Sequence, residues 1–175
     1  ENAQAIDLDP KNALAYYSRG LAYYKQANLD RAIADYAKAI ELDPKNANAY
    51  YSRGIAYYKQ ANLDRAVSDY TKAIELDPKD AIAYYSRGIA YYDKGNFEPA
   101  IADFTKAIDL DPKNTNAYYS RGLAYFRTGD FNQAIADYTK AIELDPKNAR
   151  AYTDRGVAFH YEGNFDQAIA DFNKA

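Results

Sequence analysis

The chain has 175 residues, 22 Lys and Arg against 25 Asp and Glu, a formal net charge of −3, 20 tyrosines and no cysteine. That length fits one ordinary domain, and an acidic balance without a basic stripe argues against nucleic acid as a partner. Without cysteine there is neither a disulfide framework nor thiolate chemistry, and no apolar run approaches the roughly 18 residues that a membrane span needs.

Residues 1–12 (ENAQAIDLDPKN) match the last third of a unit that then recurs in full at 13–46, 47–80, 81–114 and 115–148, with a shorter copy at 149–175. Pro10, Pro44, Pro78, Pro112 and Pro146 fall 34 residues apart, and Gly20, Gly54, Gly88, Gly122 and Gly156 keep the same step. A fixed period of that size marks a stacked-repeat architecture, here a single array over 1–175. Ala5, Ile6 and Leu8 are expected to dock on the first complete hairpin as a partial cap. Both ends fall inside helices, so the chain reads as a segment of a longer array or as an engineered one. The first two full units are identical at 28 of 34 places. The last copy departs most, with Thr153, Asp154 and His160 where the others carry Tyr, Ser and Tyr or Phe.

Each unit holds two helical patterns. In the second full unit the first spans about 47–60, opened by Asn46, a good N-cap type, and the next spans about 64–76. Between them lies Ala61-Asn62, replaced later by Gly95-Asn96, Gly129-Asp130 and Gly163-Asn164, which is turn chemistry. Pro99 falls in a first helical turn, where its missing N–H does no harm. Pro44 and its equivalents stop the second helix. The expected architecture is all-α, a solenoid of antiparallel helix–turn–helix repeats with no strand.

Tyr50, Gly54, Tyr57, Ala66, Tyr70, Ala73 and Pro78 fall at the places that define the tetratricopeptide repeat (TPR). The chain resembles that family in five in-register copies over essentially its whole length. One departure recurs: the family usually has Leu before the Gly, but here stand Arg19, Arg53, Arg87, Arg121 and Arg155. The resemblance implies a right-handed superhelix whose first helices line the concave side.

Catalysis has little to work with. His160 is the only histidine and reads as packing or surface; each Gly stands alone, so no phosphate loop is present. Acidic residues recur beside Lys, as in Lys72 and Glu75, the pattern of a solvated face. A non-enzymatic protein without cofactor or metal is expected. The Arg column has a counterpart in Asp35, Asp69, Asp103, Asp137 and Asp171. Because a partly buried charge requires a partner, the two columns are expected to pair as a ladder. The alternative is Arg reaching into the groove to bind anions.

The tyrosines carry the functional reading. Tyr50, Gly54 and Tyr57 form one stripe, read as core. Tyr51, Ile55 and Tyr58 form a second, offset stripe, repeated as Tyr17, Leu21 and Tyr24; Tyr85, Ile89 and Tyr92; and Tyr119, Leu123 and Phe126. A helix apolar on two faces buries both or leaves one for a partner. Chaperone-binding members of the family hold a terminal carboxylate with Lys, Asn and Arg, but the corresponding places here carry Tyr17, Leu21, Ile82 and Ser86. The expected function is therefore an interaction scaffold whose tyrosine-rich groove, about 40 Å long at roughly 10 Å per helix, takes an extended or helical peptide segment. Two alternatives stand beside it: a spacer or head-to-tail self-assembling scaffold, and a regulatory region of a larger enzyme. The uncapped apolar residues Ala168, Ile169 and Phe172 motivate end-to-end association.

Overall fold

The computed structural model describes residues 9–175, so the docking expected of Ala5, Ile6 and Leu8 lies outside the described residues. In chain order the helices are α1 (Ala13–Lys25), α2 (Leu29–Leu42), α3 (Ala47–Lys59), α4 (Leu63–Leu76), α5 (Ala81–Asp93), α6 (Phe97–Leu110), α7 (Thr115–Thr128), α8 (Phe131–Leu144), α9 (Ala149–Tyr161) and α10 (Phe165–Phe172). No strand occurs among the described residues, and none of these helices is long and apolar enough to cross a membrane. The fold is all-α. Two compact units divide the chain, the first reaching Ala90 and the second starting at Tyr91.

Side-chain caps set the helix starts. Asn12 and Asn46 accept from the N–H of Ala15 and Ala49 at 3.0 Å, satisfying a donor that a first helical turn leaves unpaired. Asn114 and Asn148 do the same for α7 and α9. At the ends of the second helices the Asp43 N–H donates to the Ala39 carbonyl at 2.8 Å. Pro44 follows and cannot continue the helix.

The turn inside each hairpin needs a left-handed residue. Gly95, Gly129 and Gly163 supply it with φ of 78°, 84° and 76°, whereas Ala27 and Ala61 are held at φ 57°. An L-residue with a Cβ is disfavoured there by about 1–2 kcal/mol.

Within the first unit α1 packs on α2, α2 on α3 and α3 on α4; within the second, α6 packs on α7, α7 on α8, α8 on α9 and α9 on α10. The fully buried rings come from the second helices: Tyr36, Phe104 and Tyr138. A Cβ at Gly54 would lie 2.8 Å from the Tyr70 ring, so only glycine lets that ring reach the first helix. The stripe read as core is therefore only half core. Gly54 is buried, but Tyr50 and Tyr57 stay half-buried. The guanidinium of Arg53 lies 5.8 and 5.9 Å from their ring centroids, on a face that keeps a charge near solvent.

The two alanine turns yield the first prediction. Ala61→Gly should stabilise the protein by about 0.5–1 kcal/mol, relief of the left-handed strain less the added freedom of the unfolded chain. For a chain of this size that is roughly 1–4 °C in Tm. A melting temperature that falls would show that the alanine methyl gains more in the turn than its backbone costs.

Candidate functional site

All twelve residues of the second stripe are half-buried, neither core nor freely exposed. Tyr17, Leu21 and Tyr24 of α1 pack against the buried cluster of Ala32, Tyr36 and Ala56. Tyr51, Ile55 and Tyr58 of α3 lie in the same way over Ala66, Tyr70 and Ala90. In the second unit Tyr119, Leu123 and Phe126 of α7 cover Ala134, Tyr138 and Ala158. Tyr85, Ile89 and Tyr92 all lie on α5.

In the first unit the stripe encloses a cavity of about 340 Å³ lined by Tyr51, Ile55, Tyr58, Tyr85, Ser86 and Ile89, with Tyr70 and Lys59 completing the lining. The Tyr51 hydroxyl pairs with Ser86 Oγ at 3.2 Å, as Tyr17 pairs with Ser52 at 3.3 Å. These contacts join neighbouring first helices. Lys59 also sits over the Tyr24 ring, 5.2 Å from its centroid. Burial pushes the phenols of Tyr51 and Tyr70 above their ordinary pKa, so both stay neutral near neutral pH. Ile82, at one of the clamp-type places, is 60% exposed.

The Arg and Asp columns meet inside their own hairpins. Arg19 donates through Nε and Nη2 to both oxygens of Asp35 at 2.7 Å. Arg53 reaches Asp69 at 2.7 and 2.8 Å, and Arg121 with Asp137 and Arg155 with Asp171 repeat the fork at 2.7 Å. These Arg side chains are thus paired bidentately, a geometry that holds both groups in register. The hydrogen bond that Arg53 donates to Asp69 raises the Arg53 pKa further, against the opposing effect of burial.

A threonine escaped the sequence reading. Arg87 Nη1 donates to Thr71 Oγ1 at 3.0 Å, and Arg121 and Arg155 do the same to Thr105 and Thr139 at 3.0 and 2.9 Å. Each threonine hydroxyl donates in turn to the carbonyl four residues earlier, Val67, Ile101 or Ile135. The arginine thereby ties its hairpin to the preceding one. The signal was present in the spacing, since Thr71, Thr105 and Thr139 also fall 34 residues apart.

His160 is exposed and sits edge-on to the rings of Tyr161 and Phe165 at 6.1 and 5.3 Å. Among the described residues no group of three His, Cys, Asp or Glu side chains could hold a metal ion.

Comparison with known proteins bears out the repeat and its fold. A model described as TPR repeat matches residues 3–27, 28–61, 88–129 and 122–161. Models described as tetratricopeptide repeat match 47–80, 69–102 and 149–175. The chain belongs to the tetratricopeptide repeat family. Among solved structures it is similar to YrrB, described as a TPR protein with an unusual peptide-binding site, at 25% identity and a TM-score of 0.89, over 99% of this chain and 89% of that one. Two structures of MamA are similar at 31% and 32% identity, with TM-scores of 0.90 and 0.87; 93% and 89% of this chain and 88% and 91% of theirs are covered. No curated protein sequence matches the chain.

The ladder yields the second prediction. Arg53→Leu leaves the Asp69 carboxylate buried without its partner and should cost about 3 kcal/mol, or roughly 6–12 °C in Tm. Adding Asp69→Leu should restore most of the loss, because two apolar groups need no pairing. Thermal unfolding of the three variants decides it; a double variant no more stable than the single one would mean that packing, not charge pairing, sets the cost.

Proposed function

We propose that the chain is a non-enzymatic binding module that holds an apolar peptide segment of a partner protein on its tyrosine-lined face. The observation that carries this is the 340 Å³ cavity of the first unit. Its walls are aromatic and aliphatic, and the Tyr51 hydroxyl pairs with Ser86 Oγ at its edge. Half-buried tyrosine suits a face that binds and stays hydrated between encounters, since the ring buries apolar area and the hydroxyl remains wet. Lys59 at this cavity favours a segment with an acidic residue beside its apolar anchor. The peptide-binding site named for YrrB supports the class of partner.

The test compares Tyr51→Ala with Tyr85→Ala against wild type, using peptides selected from a random displayed library on the wild-type protein. Central aromatic anchors typically cost about 2 kcal/mol or more when truncated, so capture should fall at least about thirty-fold while helicity persists. Unchanged capture with a large loss of Tm would make the stripe core and end the groove reading.

A second reading, head-to-tail association of copies, has its own observation. Phe165, Ile169 and Phe172 of α10 are 57%, 59% and 46% exposed, whereas Tyr36, the counterpart of Phe172, is 1% exposed beneath Ala56 of the next helix. On α1, Ala22 is exposed at the place equivalent to Ala56. A second copy's α1 thus carries the residue type that covers such a ring inside the chain, a heterologous contact that does not close. Light scattering across a wide concentration range should show growth in mass that Ile169→Glu abolishes. A constant monomer mass for the wild type would remove this reading.

A further inference from the structure

The cavity of the second unit carries chemistry that the tyrosine stripe does not explain. It measures about 160 Å³ and is lined by Leu123, Phe126, Tyr138, Asp154 and Val157. In the first unit the tyrosine hydroxyls of the stripe pair with serine hydroxyls, Tyr17 with Ser52 and Tyr51 with Ser86. In the second unit Tyr119 donates to Asp154 Oδ2 at 2.6 Å instead, which puts a carboxylate on the cavity wall. A carboxylate offers about four acceptor positions, and Tyr119 takes one. No described cation forms a salt bridge with Asp154, while Asp35, Asp69, Asp137 and Asp171 each hold an arginine at 2.7 Å. Arg150, one turn earlier on α9, is exposed.

A second, independent observation points into the same cavity. Tyr138 is 0% exposed, and its hydroxyl has no hydrogen-bond partner. A buried polar atom left unpaired is costly, and a ligand donor would remove that cost. Phe126 and Val157 add an aromatic and an aliphatic wall. A carboxylate without a salt bridge, an unpaired hydroxyl oxygen and an apolar wall together complement a cation carried on an apolar stem.

We propose that this cavity binds the side chain of a lysine in the partner segment, its ammonium donating to Asp154 and Tyr138 while its methylene stem lies along Leu123, Phe126 and Val157. The small volume favours a compact ammonium over a planar guanidinium. The aromatic ring also attracts the cation. The assignment rests on the reading that the tyrosine-lined face binds a partner, but its test addresses only the second unit and is independent of Tyr51 and Tyr85.

The experiment titrates Nα-acetyl-lysine methylamide into isotopically labelled protein and follows the backbone amides of Leu123, Phe126 and Val157. Nα-acetyl-norleucine methylamide, the same stem without the ammonium, serves as the neutral control. Alaninamide, with a free α-amino group, reads out a chain terminus as the other source of ammonium, and the arginine analogue reads out a guanidinium. Two variants accompany the wild type. Asp154→Ser copies the residue at Ser52 and Ser120, and Tyr138→Phe copies Phe104, so both should retain the fold. The lysine probe should shift the three amides more than any other probe. Asp154→Ser should weaken it at least about ten-fold, the loss of a contact to a charged group, and Tyr138→Phe at least about three-fold. Equal response to norleucine, tighter binding of alaninamide or the arginine analogue, no shift in the wild type, or unchanged affinity in either variant overturns the assignment.

Discussion

A buried carboxylate organises each hairpin. Asp35, Asp69, Asp137 and Asp171 are only 4–6% exposed, and a charge at that depth is tolerated only when paired and hydrogen-bonded. The arginine that pairs with it is fixed by two parallel hydrogen bonds and has little freedom left. Where threonine stands on the preceding second helix, a further N–H bonds to it and carries the same constraint to the neighbouring hairpin. One electrostatic requirement thus sets both the internal register of a hairpin and its seat on the previous one.

The same requirement decides what the opposite face of the first helix can be. On α3, Arg53 stands two positions from both Tyr51 and Ile55, about 200° around the helix. The guanidinium is therefore directed away from the side that carries the aromatic cavity. It lies instead with Tyr50, Ser68, Asp69 and Thr71 around a separate polar cavity. With its strongest cation held there, the tyrosine-lined face is left to neutral rings, aliphatic side chains and whatever single charge a repeat substitutes into it. Anion capture by the arginine column, the competing reading of that column, does not fit a guanidinium already forked onto a carboxylate.

Much of this was legible in the residues because it repeats. The 34-residue step, the Asn or Asp caps, the Pro stops and the matched Arg and Asp columns each follow from local chemistry that a single chain displays five times. Apart from the threonine column, which shares the 34-residue step, what escaped depends on distances between helices that no spacing encodes. Gly54 reads as a place for close helix approach, but its neighbour is a ring from α4, Tyr70, and not backbone alone. Tyr50 and Tyr57 share a helical stripe with that glycine yet remain half-buried, because Arg53 projects between them. The alanines at φ 57° were readable only by comparison with the later glycines at the same turn. Asp154 stood out as a break in a serine column, but its meaning needed the cavity and the unpaired Tyr138 hydroxyl.

Internal comparison of the repeats separates the places that build a hairpin from those that vary between copies. Gly, Arg, Asp and the small Ala places recur in all five copies, and they make the contacts that build a hairpin. Among the places that differ on the first helices are Leu21 against Ile55 and Val157, Tyr58 against Phe126 and His160, and Ser52 against Asp154. Changing one of these leaves the ladder and the buried rings in place, so a repeat can alter the chemistry of its cavity without altering its fold. The cavity of the first unit is larger, neutral-walled and bordered by a lysine, and that of the second is smaller and acidic. The repeats therefore share one scaffold while lining unlike cavities, because the residues that set a cavity's size and charge are not those that hold the hairpin together.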